Sequence, residues 1–186
     1  MTDVVGLVLA AGSGERFGGP KALARTPDGE PWVVRAVRLL QRGGCDAVVV
    51  VLGAEAEDAR SLVPAEAQVV VTERWRHGMG ASLAEGVAAL PEADSALLTL
   101  VDLPELPLSV LERVLDAGTD RDRIARAVYD GRPGHPVLLG RDHWEAFRDS
   151  LHGDEGGRAY LEEHDVEHVE CGDLFTGDDV DRRSIS

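Results

Sequence analysis

Glycines 12, 14, 18 and 19 share one short stretch, LAAGSGERFGGPKAL from Leu9 to Leu23, with the cations Arg16 and Lys21. Without a Cβ, glycine lets backbone N–H groups crowd around an anion, and a concave set of such groups binds phosphate. Arginine adds a planar fork of donors and lysine a mobile point charge. The stretch therefore reads as a loop for a polyphosphate. Lys21 stands out because the other basic residues of the chain are all arginine. Far along the chain, Asp102 closes the apolar run SALLTLVD and precedes Leu103-Pro104. A carboxylate there can hold a hard cation such as Mg²⁺, which takes oxygen ligands. The same residue could instead cap the helix that follows.

Two familiar phosphate loops can be laid against this stretch. The dinucleotide fingerprint G-x-G-x-x-G runs straight into a helix. Here Glu15-Arg16-Phe17 follows Gly14, so the third glycine comes one place late at Gly18, and Pro20 delays any helix. The next apolar run ends Leu52-Gly53, with no acid to hold a ribose. An NAD-binding protein is disfavoured on both counts. A P-loop needs a lysine directly after its last glycine and then a hydroxyl. Pro20 comes between Gly19 and Lys21, and Ala22 stands where the hydroxyl belongs. Neither pattern fits.

The elements that must position these residues alternate. Continuous apolar runs predict buried parallel strands at Val4–Ala10, Ala47–Leu52, Gln68–Val71 and Ser95–Val101. Helical patterns lie between them. One opens at Pro31 with Val33, Val34, Val37 and Leu40 on one face, and others span Ala54–Leu62, Met79–Leu90 and Pro107–Leu115. After residue 120 the rhythm changes. Ile124–Tyr129 and Pro136–Leu139 flank the turn cluster DGRPGH and read as a hairpin-like insertion. Helices at about Asp142–Leu151 and Gly156–His164 and a strand near Val166–Glu170 complete the pattern, and the polar end is expected to fray after about residue 181. The expectation is one domain over residues 1–186, a parallel sheet covered on both faces. In such sheets ligands sit beyond the carboxyl ends of the strands. That edge gathers Ala10–Lys21, Thr72–Ser82 and Asp102–Pro104.

Composition bounds the partners. A net charge of −15 argues against DNA or RNA, which need a basic surface. No apolar run approaches the ~20 residues of a membrane span, and no basic segment precedes the first strand, so no membrane partner is expected. Cys45 and Cys171 match no metal or redox spacing, and a reducing cytoplasm is the simplest expectation. Trp75 and Trp144 read as packing residues.

Strand, LAAGSGERFGGPKAL and a long excursion before the next helix resemble the L-A-x-G-x-G-x-R-x-G-x-x-K signature of MobA-like nucleotidyltransferases. The likeness to the molybdenum cofactor cytidylyltransferase branch extends through VVVVLG (Val48–Gly53), GMGASLAEGV (Gly78–Val87), VDLPEL (Val101–Leu106), GRPGHPVLLG (Gly131–Gly140) and GDEGGRAYL (Gly153–Leu161), in that order over roughly residues 4–181. Two features depart from the family. Thr72-Glu73 stands where Asn-Pro is common, and the C-terminal D-[IV]-D-T-P-E-D appears only as Asp179-Val180-Asp181 followed by Arg182-Arg183-Ser184.

The resemblance implies a three-layer, Rossmann-like α/β nucleotidyltransferase fold with a mostly parallel sheet and a small hairpin insertion. It implies Mg²⁺-dependent transfer of CMP from CTP to a small phosphate-bearing acceptor, molybdopterin cofactor, with release of pyrophosphate and a molybdoenzyme as client. Leu9, Ala10, Ala11, Gly12, Gly14, Arg16, Lys21, Gly80 and Ser82 would bind the nucleotide. Arg16, Lys21 and Asp102 would be catalytic, Asp102 and Asp181 metal ligands, and Gly134 and His135 acceptor contacts. Ala11 stands where the guanylyl branch has glycine, which favours the smaller base. For Ser82 the alternative is a helix cap, and for His135 a brace in the hairpin turn. The rival functions are a guanylyl- or sugar-phosphate nucleotidyltransferase and a non-catalytic molybdenum-cofactor binding or insertion protein.

Overall fold

β-Branched and leucine runs bounded by turn residues form the strands, as expected from residues that pack well on a pleated surface. The computed structural model describes residues 3–181, so the polar tail from residue 182 onward lies outside the described residues. Strands β1 (Val4–Ala10), β2 (Ala47–Leu52), β3 (Gln68–Val71) and β4 (Ser95–Leu100) run parallel, with β1 between β2 and β4 and buried along its whole length. Strands β5 (Ile124–Tyr129), β6 (Arg132–Gly140) and β7 (Glu167–Glu170) extend the same sheet, in the order β3-β2-β1-β4-β6-β5-β7.

The hairpin is built into the sheet. β6 lies between β4 and β5, antiparallel to both, while β7 runs parallel to β5. The hairpin turn is made by Asp130 and Gly131 alone, both with positive φ (52° and 75°), the conformation of a two-residue hairpin loop. Pairing therefore starts at Tyr129 and Arg132, four residues before the expected start of β6. Because β6 runs backwards, its first residues reach the edge where the other strands end. Gly134 and His135 arrive there for that reason.

Helices α1 (Trp32–Arg42) and α4 (Leu108–Asp116) cover one face, burying Val33, Val37, Leu40, Val110, Leu111 and Val114. Helices α3 (Met79–Ala88), α5 (Trp144–Ser150) and α6 (Arg158–Glu163) cover the other with Leu83, Val87, Phe147, Tyr160 and Leu161. This is an α/β architecture, a largely parallel mixed sheet between helical layers. Helix α3 lies close to the strands because Gly86 has no side chain. A Cβ there would sit 2.6 Å from Val51 and 3.0 Å from Leu7. Several helices are shorter than their apolar periodicity suggests, for local reasons. α2 spans only Ala56–Arg60 because Glu55 takes a left-handed conformation (φ 50°), and α6 begins after Gly156, which is also left-handed.

Candidate active site

Where β1 ends, the chain turns on a single carbonyl. Gly14 O accepts the N–H groups of Phe17, Gly18 and Gly19 at 2.9, 2.9 and 3.1 Å. Gly14 has φ 61°, and a Cβ on it would lie 1.9 Å from Gly19 O. Only glycine permits this turn. Phe17 anchors the loop by packing its ring 5.2 Å from that of Trp32. Pro20 then leads into a short 3₁₀ turn, Lys21–Leu23, whose Ala22 is buried. That turn aims Lys21 back across the end of β1 toward the end of β4.

There the Lys21 ammonium donates to Asp102 Oδ2 at 2.8 Å and to Asp181 Oδ1 at 3.0 Å. Burial by itself would lower the lysine pKa, but hydrogen bonds and charge from both acids raise it overall, so Lys21 is firmly cationic. The same contact holds Asp181 below the usual carboxylate range. The acidic segment is pinned in place because the Val180 N–H donates to Asp102 O at 3.0 Å. This brings in Asp179, whose pKa is raised by burial and by the charges of Asp102 and Asp181. Oxygens of Asp102, Asp179 and Asp181 all lie within 4.8 Å of one another. Asp102 Oδ1 is buried with no hydrogen-bond partner, an arrangement that costs free energy unless something supplies positive charge. Three oxygen donors with one unclaimed lone-pair site fit a hard divalent cation.

The alternative role for Asp102 fails on geometry. Helix α4 starts at Leu108 with Pro107 in the cap position, five residues beyond Asp102. Ser82 is not a cap either, since α3 is preceded by Gly78. Ser82 is buried on the inner side of that helix and faces the cleft.

The cleft has a volume of about 720 Å³. Leu9, Ala10, Ala11, Gly12, Gly14, Lys21, Ser82 and Asp102 all line it. Asp181 joins them through Lys21. Other expected residues sit elsewhere. Arg16 is exposed and outside the cleft lining, yet its positive charge acts on Asp181. Gly80 is buried under the loop that follows α5, its N–H donating to Gly153 O at 2.9 Å, and a Cβ would strike the His152 backbone at 2.9 Å. His135 lines a second, adjoining cavity, and the Gly134 carbonyl accepts from Arg126 at 3.3 Å. The brace expected of the hairpin runs through the His135 backbone, whose carbonyl accepts from the Tyr129 hydroxyl at 2.6 Å.

Sequence reasoning gave no role to Asp179, Arg76 or Asp154 and read Trp75 as packing alone. Asp179 was named only as part of the Asp179-Val180-Asp181 remnant, although its D-x-D spacing from Asp181 was a usable signal. Trp75 both packs and lines the cleft, with the Arg76 guanidinium 4.2 Å from its ring centre. Asp154 reaches the opposite wall from the glycine-rich segment GDEGG. Trp144 is a packing residue, its Nε1 donating to Leu139 O at 3.0 Å. Among the described residues, no helix is long and apolar enough to cross a membrane.

Known proteins share this arrangement at several distances. The chain is 36% identical to nicotine blue oxidoreductase of Paenarthrobacter nicotinovorans, over 96% of this chain and 92% of that protein. The crystal structure of Rv0371c from Mycobacterium tuberculosis H37Rv superposes with a TM-score of 0.78 at 29% identity, covering 91% of this chain and 88% of that one. The manganese complex of the same protein gives 0.76 at 28% identity, with the same coverage. A nucleotidyl transferase from Methanothermobacter, Mth528, shares the fold, with a TM-score of 0.74 at 22% identity over 90% of this chain and 87% of that one. Residues 6–169 match the MobA-like NTP transferase domain. With that span covering most of the chain, the protein belongs to the MobA-like NTP transferase family and is an enzyme of the nucleotidyltransferase type.

Proposed function

We propose that the protein transfers a nucleoside monophosphate from an NTP to a small phosphate-bearing acceptor. An acceptor phosphate oxygen attacks the α-phosphorus. The bond from that phosphorus to the α,β-bridging oxygen breaks, and pyrophosphate leaves with the electron pair. Such a transfer needs positioning and charge neutralisation more than a protein nucleophile. The observation that carries this reading is the convergence of the glycine loop, Lys21 and the three acids at one end of one cleft.

In this reading the backbone N–H groups from Gly12 onward cradle the triphosphate. Lys21 exchanges its acids for phosphate oxygens, and Arg16, whose charge already reaches Asp181, adds a second cation. Asp102, with Asp179 and Asp181, would hold a divalent cation, Mg²⁺, which when bound offsets charge on the phosphates. A relative of known structure, Rv0371c, was solved as a manganese complex, which supports a divalent-ion site. Ala11 and Ser82 line the cleft wall where the base would lie, and CTP is the proposed donor. For the acceptor, a sugar phosphate and the molybdenum cofactor of the resemblance are the two candidates, the second with a molybdoenzyme client. The buried free thiols of Cys45 and Cys171 suit a reducing cytoplasm.

The test is pyrophosphate release with Mg²⁺ across a panel of CTP, GTP, ATP and UTP against sugar phosphates and molybdopterin. Release with at least one pair supports the reading. Tight binding of nucleotide or cofactor without release points to a carrier. A second reading is favoured by the 36% identity over nearly the full length of an oxidoreductase. It expects NADH or NADPH to bind in the cleft and no pyrophosphate with any pair, and a titration of both coenzymes separates the two readings.

A further inference from the structure

Next to the cleft, and sharing Leu9, Met79 and Leu100 with its wall, lies a second cavity of about 200 Å³. It sits between the sheet and the layer of α3, α5 and α6. Most of its lining is apolar, with Leu7, Leu98, Val137 and Phe147 among it. Arg126 of β5 and His135 of β6 enter from the sheet side, Glu155 comes from the loop leading into α6, and Arg158 from the first residue of that helix.

Arg126 is the anomaly. It is half-buried in the otherwise apolar strand IARAVY, on the face shared by Ile124. Its guanidinium donates to the Gly134 carbonyl at 3.3 Å, and its Nε is buried without a partner. Among the described residues no carboxylate lies within ion-pair distance of it. The acids nearby are engaged elsewhere. Glu162 accepts from Arg158 Nε at 2.6 Å, and the charge of Glu155 acts on Arg158. Burial is the largest influence on Arg126 and disfavours its charge; Glu162 attracts it from a distance and Arg158 repels it. His135 can bring no negative charge, since an imidazole is only neutral or cationic, and burial first and Arg126 second keep it neutral, with a pKa pushed down to about 4. A guanidinium set into an apolar wall without a carboxylate in contact is costly unless a ligand brings one.

The position of Arg126 says which part of a ligand it meets. Val137 pairs with Leu98 on one side and with Arg126 on the other. Leu98 is four residues short of Asp102, so Arg126 leaves its strand roughly 13 Å below the acid cluster. Its side chain runs from there toward the strand-end edge, to the Gly134 carbonyl, but it stands on β5 with β6 between it and β4, so it meets a different part of a ligand from the one at Asp102, and the cavity opens beside the cleft along Leu9, Met79 and Leu100.

We propose that this second cavity holds the body of the acceptor, and that the acceptor carries, besides its reacting phosphate, a second oxyanion, carboxylate or phosphate, set on a largely apolar frame and paired with Arg126. The proposal rests on the nucleotidyl-transfer reading for the word acceptor, but the binding site does not.

The test uses the full chain without NTP and three probes of one shape: naphthalene-2-carboxylate, 2-naphthyl phosphate and 2-naphthylmethanol, each titrated by calorimetry. The expected result is that at least one acid binds about tenfold or more tightly than the alcohol, as befits a charge-assisted hydrogen bond. Comparing the two acids then tells carboxylate from phosphate. Arg126→Met should erase the preference while NTP affinity stays at the wild-type level. Arg126→Lys keeps the cation and should retain part of the preference, which covers the case in which the Met variant does not fold. No binding of any probe, equal binding of acid and alcohol, or a preference that survives in a folded Arg126→Met variant overturns the proposal. Because no nucleotide is present, a blank pyrophosphate panel with intact acid binding would remove the transferase reading and leave this site standing.

Discussion

The two polar ends of this molecule solve the same electrostatic problem in opposite ways. At the end of β1 and β4, Lys21 meets two carboxylates at 2.8 and 3.0 Å, and its charge is satisfied within the protein. In the second cavity the Arg126 guanidinium has only a carbonyl at 3.3 Å. The first arrangement is stable without a ligand and must be broken for one to enter. The second is complete only when a ligand arrives. A site that must exchange partners gains from internal pairing, because the competing ion keeps the acids from repelling one another in the meantime. A site that only anchors has no such need.

Removing the acid at the paired end has the largest expected effect. Asp102→Asn should lower turnover by about 10³-fold or more and abolish Mn²⁺ binding, measured by electron paramagnetic resonance, since the amide keeps the shape and loses the charge. Thermal stability should stay near wild type, because Asp102 caps no helix. Wild-type turnover in this variant would mean that the acid cluster is outside the chemistry.

Removing the cation should separate two quantities that the first variant lowers together. Lys21→Ala should reduce turnover by about 10²–10³-fold, the loss typical of one preorganised charge contact. Its Mn²⁺ affinity without NTP should rise, because the internal competitor for Asp102 and Asp181 is gone. A fall in Mn²⁺ affinity would show that Lys21 organises the acids and does not compete for them.

The unpaired end predicts a dependence on acid. His135 has a pKa of about 4 in the folded chain against an ordinary 6.5. Below 6.5 the unfolded chain takes up a proton that the folded one refuses, so stability falls as pH drops from 6.5 toward 4 and this contribution levels off below. The size is about 3 kcal/mol. Urea unfolding at pH 7 and pH 4.5 should show a smaller loss in His135→Gln than in wild type. Equal losses would place the His135 ring in water.

The smallest effect concerns the cleft wall between the two ends. Ala11→Gly should raise kcat/KM for GTP relative to CTP by roughly tenfold, the order expected for one methyl group of steric exclusion. An unchanged ratio would move the base away from Ala11.

Much of this was legible in the residues. Strands β1, β2 and β3 have the bounds their apolar runs suggest, because a short buried run between turn residues has few other options. The place of β6 was not legible. Nothing local in RPGHPVLLG says that it will separate β4 from β5, since strand order follows from long-range packing. Lys21, Asp102 and the loop backbone could be picked out by residue type and spacing. Their meeting with Asp179 and Asp181 depends on a chain return about 80 residues after Asp102, held by the Val180 N–H. Arg126 was visible as a lone cation in a strand of apolar residues, but a strand arginine has meaning only when its neighbours are known to offer no carboxylate in contact.

One feature of the glycine loop gives a direct way to watch it. Lys21 is the chain's sole lysine, and the peptide bond after it leads into Ala22, which is 1% exposed and locked in a 3₁₀ turn. An endoproteinase that cuts after lysine therefore has one scissile bond in the entire polypeptide, and the folded loop hides it. Nicking into two fragments becomes a clock for local opening of that turn. Its rate, followed on a gel, reports how often Lys21 lets go of its acids and how far a nucleotide or a divalent ion slows that release.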